Sequence, residues 1–383
     1  MRILHITSEY PPVHDGGLAA AVAGLINASL RTHMNIKIIH IKEVSGKNYQ
    51  KAAMFYQSNK NLITLRPIEI EMQISNATGM CIHLIKQWKP DIIHIHTYSL
   101  YPIAQAIKKQ LAIPIVYTIY TLEREEREEN FDKAPLESLM RSIIQEGLVR
   151  LADRLIVLSQ IDRELLVKYC PDVSNKIRVV GLGINTDIKQ NKKKFKSKTN
   201  KILYVGRLVK RKGILDLIKS IPGVLEQVPN THFIIIGGRE YENSVELEQK
   251  WVPSTLHPFR KYITFTGWVS SRLLDELYGY ADILVVPSWY EPFGLVILEA
   301  MYRGVPVVAS NAGGPREILN HGETGIIFPA RNVDALSNAL ILLLKNPPLR
   351  RRMAFAALKE VRRKWLWSKV IKNIKIIYDE LYQ

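Results

Sequence analysis

Glu291 and Glu299 stand on either side of Gly294 in the stretch VPSWYEPFGLVILEAMYRG, residues 286 to 304. The run Asp282-Ile-Leu-Val-Val-Pro287 reads as a buried strand, Ser288 to Phe293 as the loop that leaves it, and Leu295, Ile297, Leu298 and Met301 recur at helical spacing. The first turn of a helix has unpaired N–H groups and the positive end of the dipole, so the backbone of Phe293, Gly294 and Leu295 is suited to cradle an anion. Gly294 lets such a ligand approach the chain closely. Glu291 is placed to accept hydrogen bonds from hydroxyl groups, and Glu299 to hold a vicinal diol. Carboxylates around an anion site describe a polyhydroxylated phosphate ester. Taken alone, Glu291 is equally consistent with an exposed acid favoured by the helix dipole.

A second segment adds cations. Lys201 to Val205 is a short apolar strand, followed by Gly206-Arg207 and the run Leu208 to Gly213, after which Ile214 to about Val224 has helical character. Arg207 and Lys212 therefore fall at the carboxyl end of a strand, the edge at which open parallel sheets bind ligands. Two fixed cations there suit a diphosphate and can stabilise charge developing on a leaving group. Lys210 and Arg211 lie in the same run, so a solvated basic loop is the competing reading.

Together, GRLVKRKG (206–213), EPFGLVILE (291–299) and AGGPREI (312–318) resemble the family 4 glycosyltransferases of the GT-B fold. MRILHITSEYPPVHDGGLAAAVAGL at the start resembles that family's first strand and glycine loop, and DIIHIHTYS at 91–99 its Asp-x-x-His-x-His strand, so the likeness extends over most of the chain. It implies an α/β protein with two Rossmann-like parallel-sheet domains facing across a cleft. It also implies a retaining, metal-independent enzyme that moves a sugar from a nucleotide donor. By the resemblance Glu291 and the backbone after it hold the donor sugar, Glu299 the ribose, Arg207 and Lys212 the diphosphate, and Gly16 and Gly17 the opposite face of the donor. Two positions depart from the pattern. Tyr120, in Tyr117-Thr-Ile-Tyr120, occupies the place of the family's histidine, and its hydroxyl can bond a sugar hydroxyl or a main-chain carbonyl. His14, in His14-Asp-Gly-Gly-Leu18, stands where bacterial glycogen and starch synthases have lysine.

The elements that must position these residues are spread over 383 residues, enough for two domains, with 47% hydrophobic residues to build their cores. Strand-like runs at 2–7, 36–41, 91–95, 113–119, 154–158 and 177–181, then at 201–205, 231–237, 262–266, 282–286, 305–309 and 325–328, alternate with helical patterns. That alternation is the mark of parallel sheets with crossover helices. The polar, lysine-rich stretch before residue 200 marks a boundary. The expected division is an acceptor-side domain over 1–190, a linker over 191–200, a nucleotide-sugar domain over 201–360 and a helical segment over 361–383. By the resemblance that last segment crosses back to the first domain; packing on its own domain is the alternative.

The first apolar run is broken at once by His5, Ser8 and Glu9 and so reads as a strand, not a leader. No stretch approaches membrane-spanning length. Cys81 and Cys170 lack metal or redox spacing, which suits a reducing cytoplasm. The formal charge of +17 concentrates in the linker and the C-terminal segment, giving either a solubilising surface or one suited to anionic membrane lipids. Nucleic acid is not expected, since no recognition motif or stacking series accompanies the charge.

His94 and His96, at a strand end, are expected on opposite faces, one as a satisfied structural histidine and one lining a pocket, and no metal site is anticipated. The run Glu123 to Glu129 follows Tyr120. Its acids, Glu123, Glu125 and Glu126 foremost, either line an acceptor pocket with His14 and His96 or pair with their arginine neighbours on an exposed helix. The expected activity is transfer of a hexose or N-acetylhexosamine from an NDP-sugar, UDP by frequency, to a hydroxyl of a small molecule such as an aminocyclitol or of a polymer or lipid precursor. The enzyme would be cytoplasmic or membrane-associated, with no cofactor. A sugar-nucleotide epimerase, a glucan synthase and an inactive sugar-binding protein are the alternatives. A nicotinamide dehydrogenase is disfavoured, because neither half has a G-x-G-x-x-G turn after its first strand.

Overall fold

The computed structural model describes residues 1–11, 17–32, 34–42, 51–53, 68–71, 74–125, 135–185, 199–238 and 242–382. The chain divides into two compact units, Met1–Gly183 with Trp367–Gln383, and Ile184–Leu366.

The first unit holds an eight-stranded sheet in the order β3-β4-β2-β1-β5-β6-β7-β8. Its strands are β1 (Arg2–Thr7), β2 (Asn35–Lys42), β3 (Lys51–Ala53), β4 (Ile68–Glu71), β5 (Ile92–Ile95), β6 (Ile115–Ile119), β7 (Arg154–Val157) and β8 (Ile177–Val179). All pairings are parallel except that of β3 with β4 at one edge. β5 and β6 are buried at every residue, as strands covered on both faces by helices must be. The short β3 and β4 carry no apolar run that marks them in the sequence.

Order reverses at β1, which lies between β2 and β5, so the carboxyl ends of β1 and β5 frame a topological switch point. His5 of β1 sits directly opposite His94 of β5 there. The helix Trp367–Asp379 belongs to this unit and packs on the helix Gly17–Leu30. Gly24 is the contact point. A Cβ there would lie 2.0 Å from Trp367 Nε1, so only glycine lets the indole approach. Beyond that helix, Glu380 accepts hydrogen bonds from Arg154 Nε (2.8 Å) and Arg178 Nη2 (2.7 Å), tying the chain end to β7 and β8.

The second unit is an all-parallel six-stranded sheet ordered β11-β10-β9-β12-β13-β14. The strands are β9 (Asn200–Val205), β10 (Thr231–Ile236), β11 (Ile263–Gly267), β12 (Ile283–Val286), β13 (Val307–Ser310) and β14 (Ile326–Phe328). One core joins Ile202, Ile218, Ile221, Phe233, Ile283 and Leu340 beneath the helices Ile214–Gln227 and Val333–Lys345. Its switch point falls between β9 and β12. The two loops singled out in the sequence therefore leave adjacent strands at the same sheet edge.

Candidate active site

In the second unit, β9 runs through Gly206 and Arg207 into a tight turn at Lys210–Lys212 and then into the helix Ile214–Gln227. Gly213 joins turn to helix at φ +70°, where a Cβ would lie 1.8 Å from the Pro287 carbonyl oxygen. The β9 loop thus rests against the backbone of the β12 loop, and the Trp289 N–H donates to the Arg211 carbonyl at 2.6 Å. This contact delivers Lys212 to Glu291. Lys212 Nζ donates to Glu291 Oε2 at 2.6 Å, and Ser288 Oγ donates to the same oxygen at 3.0 Å.

Glu291 is fixed by its own backbone as well. Its N–H donates to the Ala312 carbonyl (3.1 Å) and its carbonyl accepts from Gly314 N–H (2.8 Å). The second glycine of AGGPREI is required by that approach, since a Cβ on Gly314 would lie 2.2 Å from Phe293 Cα. Phe293 is buried against Trp365, edge to face at 5.5 Å. Gly294, at φ +102°, caps the helix Leu295–Tyr302, whose first turn presents backbone N–H groups, that of Ile297 being taken by the Gly294 carbonyl at 2.9 Å.

Burial lowers the Lys212 pKa, with Glu291 drawing it back up. For Glu291 burial acts upward, but the Lys212 charge and hydrogen bond, with Arg211 and Ser288, hold the carboxyl below its ordinary value. Glu291 therefore persists as a carboxylate and Lys212 stays oriented. An ammonium has three donors, and Glu291 takes one. The other two, together with the charges of Arg207 and Arg211, can meet phosphate oxygens.

Glu299 is on the next turn and more of the helix, held differently. It accepts from Tyr278 OH at 3.0 Å, and Arg303 Nη1 donates to its backbone carbonyl at 3.0 Å. Burial raises its carboxyl pKa, against the pull of Arg303 and Tyr278. Such a carboxyl is pre-positioned to accept from a diol. Arg207 precedes Lys212 in the same loop, and its carbonyl accepts from Tyr204 OH at 2.9 Å.

The first unit assembles a different group. His94 and His96 share a face, correcting the expectation of opposite faces: residues two apart in extended chain point the same way. Their rings stack at 4.3 Å between centroids, and His5 packs at 5.2 Å from each. All are buried. His5 Nδ1 and His96 Nε2 are 2.9 Å apart, and His96 Nδ1 lies 3.0 Å from Tyr120 OH. His94 is bonded through Nδ1 to Tyr378 OH (2.6 Å) and through Nε2 to Thr118 Oγ1 (2.7 Å). Among the described residues, these three histidines are the one group with the donor types and proximity to hold a metal ion. Their ring nitrogens, His5 Nε2 excepted, are already engaged by one another or by hydroxyl groups.

Of the acidic run, Glu123 is buried, with its N–H donating to Gln145 Oε1 at 2.9 Å, and the Glu125 carboxylate accepts from Tyr169 OH. Gly17 opens the helix Gly17–Leu30. His14, Gly16 and Glu126 lie outside the described residues. Sequence reasoning missed Ser288, Arg211, His5 and Tyr378. Arg211 is almost wholly buried and bonds the Tyr290 carbonyl through Nη1 at 3.4 Å, yet the basic run around it reads as solvated. A histidine in the opening strand, level with a His-x-His pair in a strand that must neighbour it, was the signal for His5.

Two Rossmann-like units, the second with a basic loop and a glycine-opened helix at its switch point, define the GT-B class of glycosyltransferases, which take nucleotide-sugar donors. Residues 74–188 match the model of Glycosyltransferase Family 4, and residues 185–360 that of Glycosyl transferases group 1. An uncharacterized glycosyltransferase of Methanocaldococcus jannaschii is 28% identical, over 99% of this chain and 98% of its own. Sucrose-phosphate synthase from Thermosynechococcus elongatus shares the fold with a TM-score of 0.80 at 21% identity, over 100% of this chain and 99% of that one. HepE of Anabaena, solved with UDP-glucose, does so with a TM-score of 0.71 at 18% identity, over 100% and 99%. The two matched models together span residues 74–360, and the chain is a glycosyltransferase of the GT-B type, similar to family 4.

Proposed function

We propose that the protein is a retaining, metal-independent glycosyltransferase that moves a hexose or N-acetylhexosamine from a UDP-sugar to an acceptor hydroxyl. The observation that carries this reading is the buried Lys212–Glu291 pair at the β9/β12 switch point, beside the helix opened by Gly294. The pair holds one cation with donors to spare where a diphosphate can meet the N–H groups of a helix start. In this reading Arg207 and Lys212 bind the diphosphate, Glu291 and the backbone of Phe293 to Leu295 the sugar, and Glu299 the ribose diol. The acceptor oxygen attacks the anomeric carbon from the face the diphosphate leaves, the glycosidic C–O bond to phosphate breaks, and the departing phosphate oxygen takes the acceptor's proton. No protein base is then required. Positive charge for the leaving group comes from Arg207, Lys212, Arg211 and the helix start. UDP is preferred because a protein of this fold has been solved with UDP-glucose.

For the acceptor, a small polyol or aminocyclitol and a surface polymer or lipid precursor both remain in the reading, with the first unit supplying its contacts. Cytoplasmic location with association to anionic membrane is part of the same reading. Among the described residues no helix is long and apolar enough to cross a membrane. The test is release of nucleotide diphosphate from a panel of UDP-, GDP- and ADP-sugars, with and without EDTA. Release with a UDP-sugar, undiminished by EDTA, is expected. Activity that vanishes in chelator and returns with magnesium or manganese refutes metal independence.

A further inference from the structure

The histidines of the first unit carry an assignment that distances alone leave open: where their protons sit. Burial pulls the His5 pKa down to about 3, and burial with neighbouring histidines holds His94 and His96 well below the ordinary value, so all three rings are neutral. A neutral imidazole has one N–H and one bare nitrogen. The line His5 Nε2, His5 Nδ1, His96 Nε2, His96 Nδ1, Tyr120 OH then admits two proton orders. In the first, Tyr120 donates to His96, His96 donates to His5, and a buried N–H is left on His5 Nε2. That atom has no hydrogen-bond partner among the described residues. In the second order every donor reverses, and His5 Nε2 is only a bare lone pair. A buried N–H without an acceptor is rarer and costlier than an unused acceptor, which favours the second order.

We infer that His5 and His96 are positioning residues that fix the Tyr120 hydroxyl as an outward donor, aimed at an oxygen of the bound carbohydrate. His96 Nδ1–H donates to the Tyr120 oxygen, so the phenolic proton has to point elsewhere. Tyr120 is half-buried just past the end of β6, next to β5 at the switch-point edge of the sheet. Burial raises its pKa and keeps the proton on the oxygen. His94 stacks on His96 and is pinned on both sides by Thr118 and Tyr378, which holds the planes of the relay. This deepens the proposed function and rests on it for the nature of the ligand.

The test has one arm that needs no substrate. In the full chain labelled with 15N-histidine, long-range proton–nitrogen spectra should show His5 and His96 both protonated on Nδ1. Protonation on Nε2 of either ring, or a stoichiometric metal bound to the purified protein, overturns the relay. The second arm is kinetic. Tyr120→Phe and His5→Leu should each lower kcat/KM about tenfold, the scale of one lost hydrogen bond, and the double variant should lose no more than either. His5→Asn, whose amide can replace the Nδ1–H, should recover most of the activity, which also covers poor folding of the leucine variant. Additive losses overturn the relay. Absence of turnover with every sugar nucleotide would instead strike the proposed function, with the tautomers still deciding the relay.

Discussion

Replacing Lys212 with methionine strips Glu291 of its cation in a place water barely reaches, the Lys212 and Glu291 side chains being 16% and 10% exposed. Removing one member of a buried pair costs about 3–5 kcal/mol, because the remaining charge stays desolvated. Ser288 still donates to Glu291 Oε2 and Arg211 remains nearby, so a loss near the lower end, about 3 kcal/mol, is expected. Lys212→Met/Glu291→Leu removes both members of the pair and should be destabilised by at least about 2 kcal/mol less than the sum of its single variants. The pH dependence should change sign. In the native protein the Glu291 pKa is depressed, so its contribution is complete above the ordinary carboxylate value of about 4.3 and is lost as pH falls through the lower folded value. In Lys212→Met burial acts without the cation and the Glu291 pKa rises, so stability should grow as pH is lowered toward that range. Urea unfolding of the full chain from about pH 3 to about pH 8 reads both effects. Losses that add to within about 0.5 kcal/mol, or an unchanged pH slope, would show that Lys212 and Glu291 do not depend on each other.

Two further outcomes follow from the same loops. Gly213→Ala places a Cβ 1.8 Å from the Pro287 oxygen at a positive φ, and should cost at least about 2 kcal/mol, read as a lower Tm with depressed turnover; a native Tm would show that the two loops are not locked together. Glu299→Gln keeps the shape and weakens the acceptor, so nucleotide-sugar KM should rise about tenfold with kcat nearly unchanged, whereas an equal fall in kcat would place Glu299 at the reacting centre instead.

The sequence makes the strands of both sheets readable, apart from β3 and β4, because buried parallel strands are near-continuous apolar runs. β3 and β4 have three and four residues and no such run. The site residues were readable one loop at a time. Lys212 and Glu291 are 79 residues apart, and their meeting depends on β9 lying beside β12, a property of sheet order. His94 and Tyr378 are 284 residues apart, and they meet only because the helix Trp367–Asp379 packs in the first unit. Arg211 shows a different limit. In sequence it is one cation among four in a basic run, and burial alone separates it from Lys210.

In the proposed reaction Lys212 and its neighbours drive departure of a sugar-linked diphosphate with retention. Proton NMR of the full chain turning over an α-linked UDP-sugar in excess EDTA measures this most directly, reporting UDP release and the configuration of the first-formed product together. An α-configured product is expected, with the rate falling at least about a hundredfold in Lys212→Ala. A β-configured first product, or a Lys212→Ala variant that turns over at the native rate, would contradict it.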